Sequence, residues 1–189
     1  WKKQFETVEK DQDGYDDFII TAPGADHNEK TDAGYVYLYY GKPDGWSKNT
    51  NLAAADAVFH GAMPGNEASH DAFGLGDINN DGYPDFGISI KKTQYNQGGN
   101  RAGKLYLFFG QSQRRQGLLS LETADASIIG EEEKSEAVHV KGVGDLDNDG
   151  FDDIIIGAGF NDENGADAGK VYIYFGKPTA EWQVNTLTN

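Results

Sequence analysis

The chain has 189 residues, with 31 Asp and Glu against 16 Lys and Arg and a formal charge of −15. That balance argues against nucleic acid and anionic membrane as partners and favours cations. No apolar stretch approaches the ~20 residues of a membrane-spanning helix, and the lack of Cys removes disulfides, thiolate–zinc sites and thiol nucleophiles. The start, Trp1-Lys2-Lys3-Gln4, does not read as a signal peptide.

Taken in chain order, the elements repeat. An acidic segment, Glu9 to Asp17, runs into the apolar Phe18-Ile19-Ile20, and a second strand-like run follows at Ala33–Gly41. A weaker strand is expected at Asp56–His60 and another at Ala72–Gly76. The cycle then restarts with the acidic segment Asp77 to Asp85, the run Phe86–Ile90, the aromatic run Ala102–Gly110 and the strand Asp125–Ile129. A third cycle reads Val138–Gly144, then Asp145 to Asp153, Ile154-Ile155-Ile156 and Ala168–Gly176. The loop glycines Gly14, Gly82 and Gly150 are spaced by 68 residues both times. Short β-branched and aromatic runs bounded by Gly or Pro suit buried strands, and nothing sustains a 3.6-residue apolar period. The pattern predicts an all-β fold: β-propeller-type blades of four antiparallel strands, about three of them, forming a partial propeller. The repeats are placed at 1–55, 56–124 and 125–189, the first incomplete at its N-terminal side and the third at its C-terminal side.

Each acidic loop puts oxygen-bearing side chains at its first, third, fifth and ninth positions, with Gly at the sixth. Loop one offers Glu9, Asp11, Asp13 and Asp17, with the carbonyl of Tyr15; loop two offers Asp77, Asn79, Asp81 and Asp85, with the carbonyl of Tyr83. Loop three offers Asp145, Asp147, Asp149 and Asp153, with the carbonyl of Phe151. Alternation turns the oxygens to one side of a tight bend, and a donor set of hard oxygens favours Ca²⁺ over zinc or copper. An EF-hand does not fit. Its twelfth position needs a bidentate Glu, and here that place holds Ile20, Ile88 and Ile156. Thirteen of the 31 acidic residues lie in these loops. About three Ca²⁺ sites are expected, and the bound metal should stabilise the fold.

These motifs resemble the FG-GAP repeat of integrin α-subunit β-propellers. Phe73-Gly74 supplies the name-giving pair. Thr21-Ala22-Pro23 and Gly157-Ala158-Gly159 stand where Gly-Ala-Pro is usual, and Ser89-Ile90-Lys91 departs most from it. The resemblance implies that each acidic loop joins the first two strands of a blade and holds Ca²⁺ through the residues named above. Glu9, standing where Asp is usual, makes loop one the weakest match. Seven such units, the usual number in that family, need more than twice this length. The chain therefore reads as a fragment of a longer protein, or alternatively as a protomer whose sheets are completed by other copies.

Ser69-His70-Asp71 is read as a surface loop, and His27, His60, His70 and His139 fall at different phases of the repeat, without metal-ligand spacing. No catalytic motif is found, so no enzymatic activity is expected. Lys91, Lys92, Arg101, Lys104, Arg114 and Arg115 read as solvated blade surface rather than as a patch for an acidic glycan. The expected function is a calcium-binding extracellular or cell-surface module for adhesion or recognition, with a protein or glycan as partner. Two alternatives are a structural subunit of a surface fibre or layer and a non-catalytic propeller domain of a larger extracellular hydrolase or lyase.

Overall fold

The computed structural model describes residues 5–8, 13–61, 71–91, 102–131 and 136–186, with 5–8 and 184–186 as backbone only. It is all-β. The strands are β1 (Phe5–Val8), β2 (Asp17–Ala22), β3 (Tyr35–Tyr39), β4 (Ala57–His60), β5 (Asp71–Gly76), β6 (Asp85–Ile90) and β7 (Lys104–Phe108). They continue as β8 (Gly117–Ser120), β9 (Ala126–Ile129), β10 (Ala137–Gly144), β11 (Asp153–Ala158), β12 (Lys170–Tyr174) and β13 (Val184–Thr186). Helix among the described residues is confined to short 3₁₀ turns, such as Leu52–Ala54 and Leu121–Thr123. No helix among them is long and apolar enough to cross a membrane.

Three sheets form, in the orders β1-β2-β3-β4-β8, β5-β6-β7-β9-β13 and β10-β11-β12. The first four strands of the first two sheets are antiparallel neighbours, as the repeat predicts. One feature differs from the four-strand expectation. β8 lies parallel to β4, and β13 lies parallel to β9. β8 follows β7 in the chain and β13 follows β12, and each returns to the outer edge of the sheet before it. Residues 117–120 and 184–186 carry no strong strand signal of their own; the outer edges of β4 and β9 supply the backbone partners that make them strands. Hydrogen bonding groups β4 with β1–β3 in one sheet.

The sheets stack face to face with two shared cores. Between the first and second sheets, Val36, Leu38, Tyr40 and Phe59 meet Phe86, Ile88, Ile90, Tyr106 and Phe108. Between the second and third, Leu105, Leu107 and Phe109 meet Ile154, Ile156 and Trp182. Alternation explains the assignment. Tyr106 and Phe108 project to one side of β7 while Leu105 and Leu107 project to the other. The middle sheet is therefore covered on both faces, and β6 is buried at every position. Phe86 and Phe108 stack with centroids 5.0 Å apart, and Phe59 lies 4.7 Å from Phe108. The Phe73 ring fits over Gly87, where a Cβ would come within 2.4 Å of it. A larger residue at 87 would expel that ring from the core.

Candidate functional site

Loop two lies between β5 and β6 and loop three between β10 and β11, both antiparallel pairs. Each joins strand directly to strand, unlike the helix-flanked loop of an EF-hand. Glu9 and Asp11 of loop one lie outside the described residues.

The loops share one internal bonding scheme. In loop two, the N–H groups of Asp81 and Gly82 donate to Asp77 Oδ1 and Oδ2 at 3.0 and 2.8 Å. Tyr83 N–H donates to Asp81 Oδ1 at 2.9 Å. Loop three repeats this: Asp149 and Gly150 donate to Asp145, and Phe151 donates to Asp149. In loop one, Tyr15 N–H donates to Asp13 Oδ1 at 2.9 Å. Gly14, Gly82 and Gly150 have φ of 87°, 93° and 94°, the left-handed region that Gly enters without steric cost.

The ninth position is different in kind. Asp17, Asp85 and Asp153 are completely buried. Asp85 accepts from Ile78 N–H at 2.9 Å and from Gly110 N–H at 2.8 Å. Asp153 accepts from Leu146 and Gly176, and Asp17 accepts from Gly41 at 2.7 Å. Each carboxylate thus ties its loop to the glycine that ends the blade's third strand. Two oxygens with about four lone-pair sites leave capacity for a cation beyond these bonds.

The oxygens of loop three's first, third and fifth positions face outward. Asp145, Asp147 and Asp149 are exposed, and one carboxylate oxygen from each lies within 4.8 Å of the others, close enough to hold one metal ion. The Asp147 carboxyl is held above the usual carboxylate range, first by lost hydration and then by the charge of Asp149, with Asp153 and Asp145 adding to it. In loop two, Asn79 is buried and its amide donates to Asp81 Oδ2 at 2.9 Å and to Thr179 Oγ1 at 3.1 Å. In loop one, Asp13 pairs with Arg114 of the second repeat at 2.5 Å, and that guanidinium also lies over the Tyr40 ring. Tyr15 is exposed, while Tyr83 and Phe151 are half-buried.

Several contacts escape a reading of the sequence because they join separate repeats. Asp152 accepts from Asp77 N–H at 2.8 Å, and its own N–H donates to the Asp77 carbonyl at 3.0 Å, so loops two and three are bonded to each other. Glu131 accepts from Lys170 Nζ at 2.9 Å and Tyr172 OH at 2.5 Å. Burial pushes the Glu131 carboxyl up, but those two bonds and the Lys170 charge outweigh it and hold the group below the usual range. The basic residues of the second repeat are engaged within the chain: Lys91 with Glu136, Lys104 with Glu122, and Arg115 with Asp125. Lys92 and Arg101 lie outside the described residues. His27 and His60, at different repeat phases, stack with centroids 3.9 Å apart because β3 pairs with β4 beside them. His139 is exposed; Ser69 and His70 lie outside the described residues, and Asp71 begins β5.

The FG-GAP repeat family matches residues 11–39 and 142–174. The middle repeat, which departs at Ser89-Ile90-Lys91, lies outside the match. The phosphatidylinositol-glycan-specific phospholipase D of Rattus norvegicus is 26% identical over 194 residues, covering 95% of this chain and 22% of that protein. The enzyme of the same name from Dictyostelium discoideum is 29% identical, covering 92% of this chain and 19% of its own length. Integrin alpha-6 of Gallus gallus is 29% identical over 163 residues, covering 84% of this chain and 13% of that protein. The chain spans about a fifth or less of each of these three relatives. It carries FG-GAP repeats and is distantly homologous to the FG-GAP regions of integrin α-subunits and of phosphatidylinositol-glycan-specific phospholipase D.

Proposed function

We propose that the chain is a calcium-binding FG-GAP module that works outside the cell or on its surface in adhesion or recognition, without catalysing a reaction itself. The observation that carries this reading is the convergence of Asp145, Asp147 and Asp149 in an exposed strand-to-strand loop. The donor chemistry fits the ion: all-oxygen, anionic, and set on a bend held by the buried Asp153. Asp145, Asp147, Asp149 and Asp153 would hold Ca²⁺ in loop three, and Asp77, Asn79, Asp81 and Asp85 in loop two. Loop one would use Glu9, Asp11, Asp13 and Asp17, with Arg114 already beside Asp13. When bound, the ion neutralises the carboxylates that repel one another there; its role is structural. A protein or glycan partner would then meet loops elsewhere on the blades.

A second reading is a non-catalytic propeller domain of a larger hydrolase. It is favoured by the similarity to relatives named as phospholipases, of which the chain covers about a fifth.

The test of the metal reading is thermal unfolding in EDTA and in millimolar Ca²⁺. Free Ca²⁺ at about ten times Kd adds about 1.4 kcal/mol per site. One kcal/mol moves the midpoint of a chain this size by about 2–4 °C. Three sites therefore predict a rise on the order of 10 °C, reduced by the Asp147→Asn/Asp149→Asn double substitution. Superimposable melting curves would refute the metal reading.

A further inference from the structure

Loop two is gripped from outside by the third repeat. The closest hold comes from Asp152, at the eighth position of loop three. Its carboxylate accepts from Asp77 N–H at 2.8 Å, and its own N–H donates to the Asp77 carbonyl at 3.0 Å. Gly76, with φ of 80°, admits it: a Cβ there would stand 2.0 Å from the Asp152 carboxylate. Two more contacts come from the segment after β12. Lys177 N–H donates to the Ile78 carbonyl at 3.0 Å, and Thr179 Oγ1 accepts from the Asn79 amide at 3.1 Å. Asp77 supplies the first expected oxygen of loop two, and both its N–H and its carbonyl are tied to Asp152.

Asp152 also stands between two donors of its own loop, the Phe151 carbonyl and the buried Asp153. The Phe151 carbonyl and the Asp152 N–H belong to one planar peptide group. Whatever fixes that carbonyl therefore fixes the N–H that donates to Asp77, through a route of directly bonded groups. The corresponding position of loop two is Pro84, which has neither an N–H nor a carboxylate, so it cannot make the same pair of bonds to loop one.

We propose, resting on the metal reading above, that Asp152 couples loop three to loop two, so that loop two binds Ca²⁺ more tightly once loop three is filled. With loop three pinned, the Phe151–Asp152 peptide and the Asp152 carboxylate are already in place. Asp77 then meets a cation without the cost of ordering its own backbone, which is positive cooperativity by preorganisation. Charge works the other way, since cations in neighbouring loops repel. Asp147→Asn/Asp149→Asn separates the two effects. It removes the two negative charges that one Ca²⁺ would neutralise, yet leaves loop three without the carboxylates that hold the ion.

The experiment is a Ca²⁺ titration of the 189-residue chain followed by NMR at the backbone amides of Gly82 in loop two, Gly150 in loop three and Gly14 in loop one. Asp147→Asn/Asp149→Asn should raise the dissociation constant read at Gly82 by about fivefold or more, and leave Gly14 as in the parent. Asp152→Ala should raise the Gly82 constant to a similar degree, and adding the double substitution to it should raise it no further. Asp152→Asn keeps an acceptor oxygen for Asp77 N–H and should recover most of the parent affinity. If Ca²⁺ moves neither Gly82 nor Gly150 in the parent, the metal reading fails and the coupling fails with it. If both amides respond but the Gly82 constant ignores the double substitution, or tightens, the coupling alone is overturned and the metal reading stands. Losses that simply add in the triple variant, or a Gly14 constant that shifts as far as that of Gly82, also overturn the role of Asp152.

Discussion

Position nine of each loop shows how a single residue links strand geometry to site geometry. Asp85 is fully buried and accepts two backbone N–H groups, one from its own loop and one from Gly110 at the end of β7. Bonds to a charged acceptor are each worth about 1.5–3 kcal/mol, and a buried amide left without a partner is costly. Asp85→Ala should therefore lower the unfolding free energy by about 3–5 kcal/mol, with Asp85→Asn intermediate. Measured by urea denaturation in EDTA, the effect belongs to the clamp and not to a bound ion. A loss below about 1 kcal/mol in EDTA would show that the amides find other acceptors. Gly110 is constrained by the same approach, since a Cβ there would come 2.5 Å from the Pro84 carbonyl oxygen. The aspartates were legible as a repeating oxygen pattern. Their burial was not, because alternation along a loop does not say which oxygens turn toward the neighbouring strand.

At the scale of elements, sheets are joined by polar contacts as well as by the two cores. Glu131, just after β9, reaches Lys170 and Tyr172 on β12 and so ties the second sheet to the third. Because its carboxyl sits below its ordinary pKa, the contribution is complete above the usual carboxylate range and disappears as pH falls through the lowered value. Glu131→Gln should cost about 1.5–3 kcal/mol at pH 7. The gap between parent and variant in chemical denaturation should narrow as pH falls below the usual carboxylate range. A gap that does not change with pH would assign the effect to packing. This contact could not be read from the sequence, since residues 131 and 170 fall in different repeats and meet only once the sheets stack. The fifth strands β8 and β13 were hidden for the same reason: their partners, β4 and β9, lie some sixty residues earlier in the chain, at the outer edge of the preceding sheet.

For the molecule as a whole, the formal charge of −15 works against the compact state, and the loops concentrate it. The EDTA-treated chain should melt higher as NaCl rises from about 20 to about 300 mM, because screening relieves the repulsion. With Ca²⁺ bound, six added positive charges would make that slope smaller. Equal slopes with and without Ca²⁺ would mean that the loops are not where the repulsion acts. From the sequence alone came the all-β class, the strand-to-strand acidic loops, the 68-residue period and the strands β2 to β7 and β9 to β12. All of these are local, set by side-chain alternation and by glycine at fixed offsets. Tertiary structure decided which face of each strand meets which neighbour, the parallel fifth strands, the Asp13–Arg114 pair, and the bonded loops two and three. Those features rest on contacts between residues dozens of positions apart, and a one-dimensional period carries no record of how its copies stack.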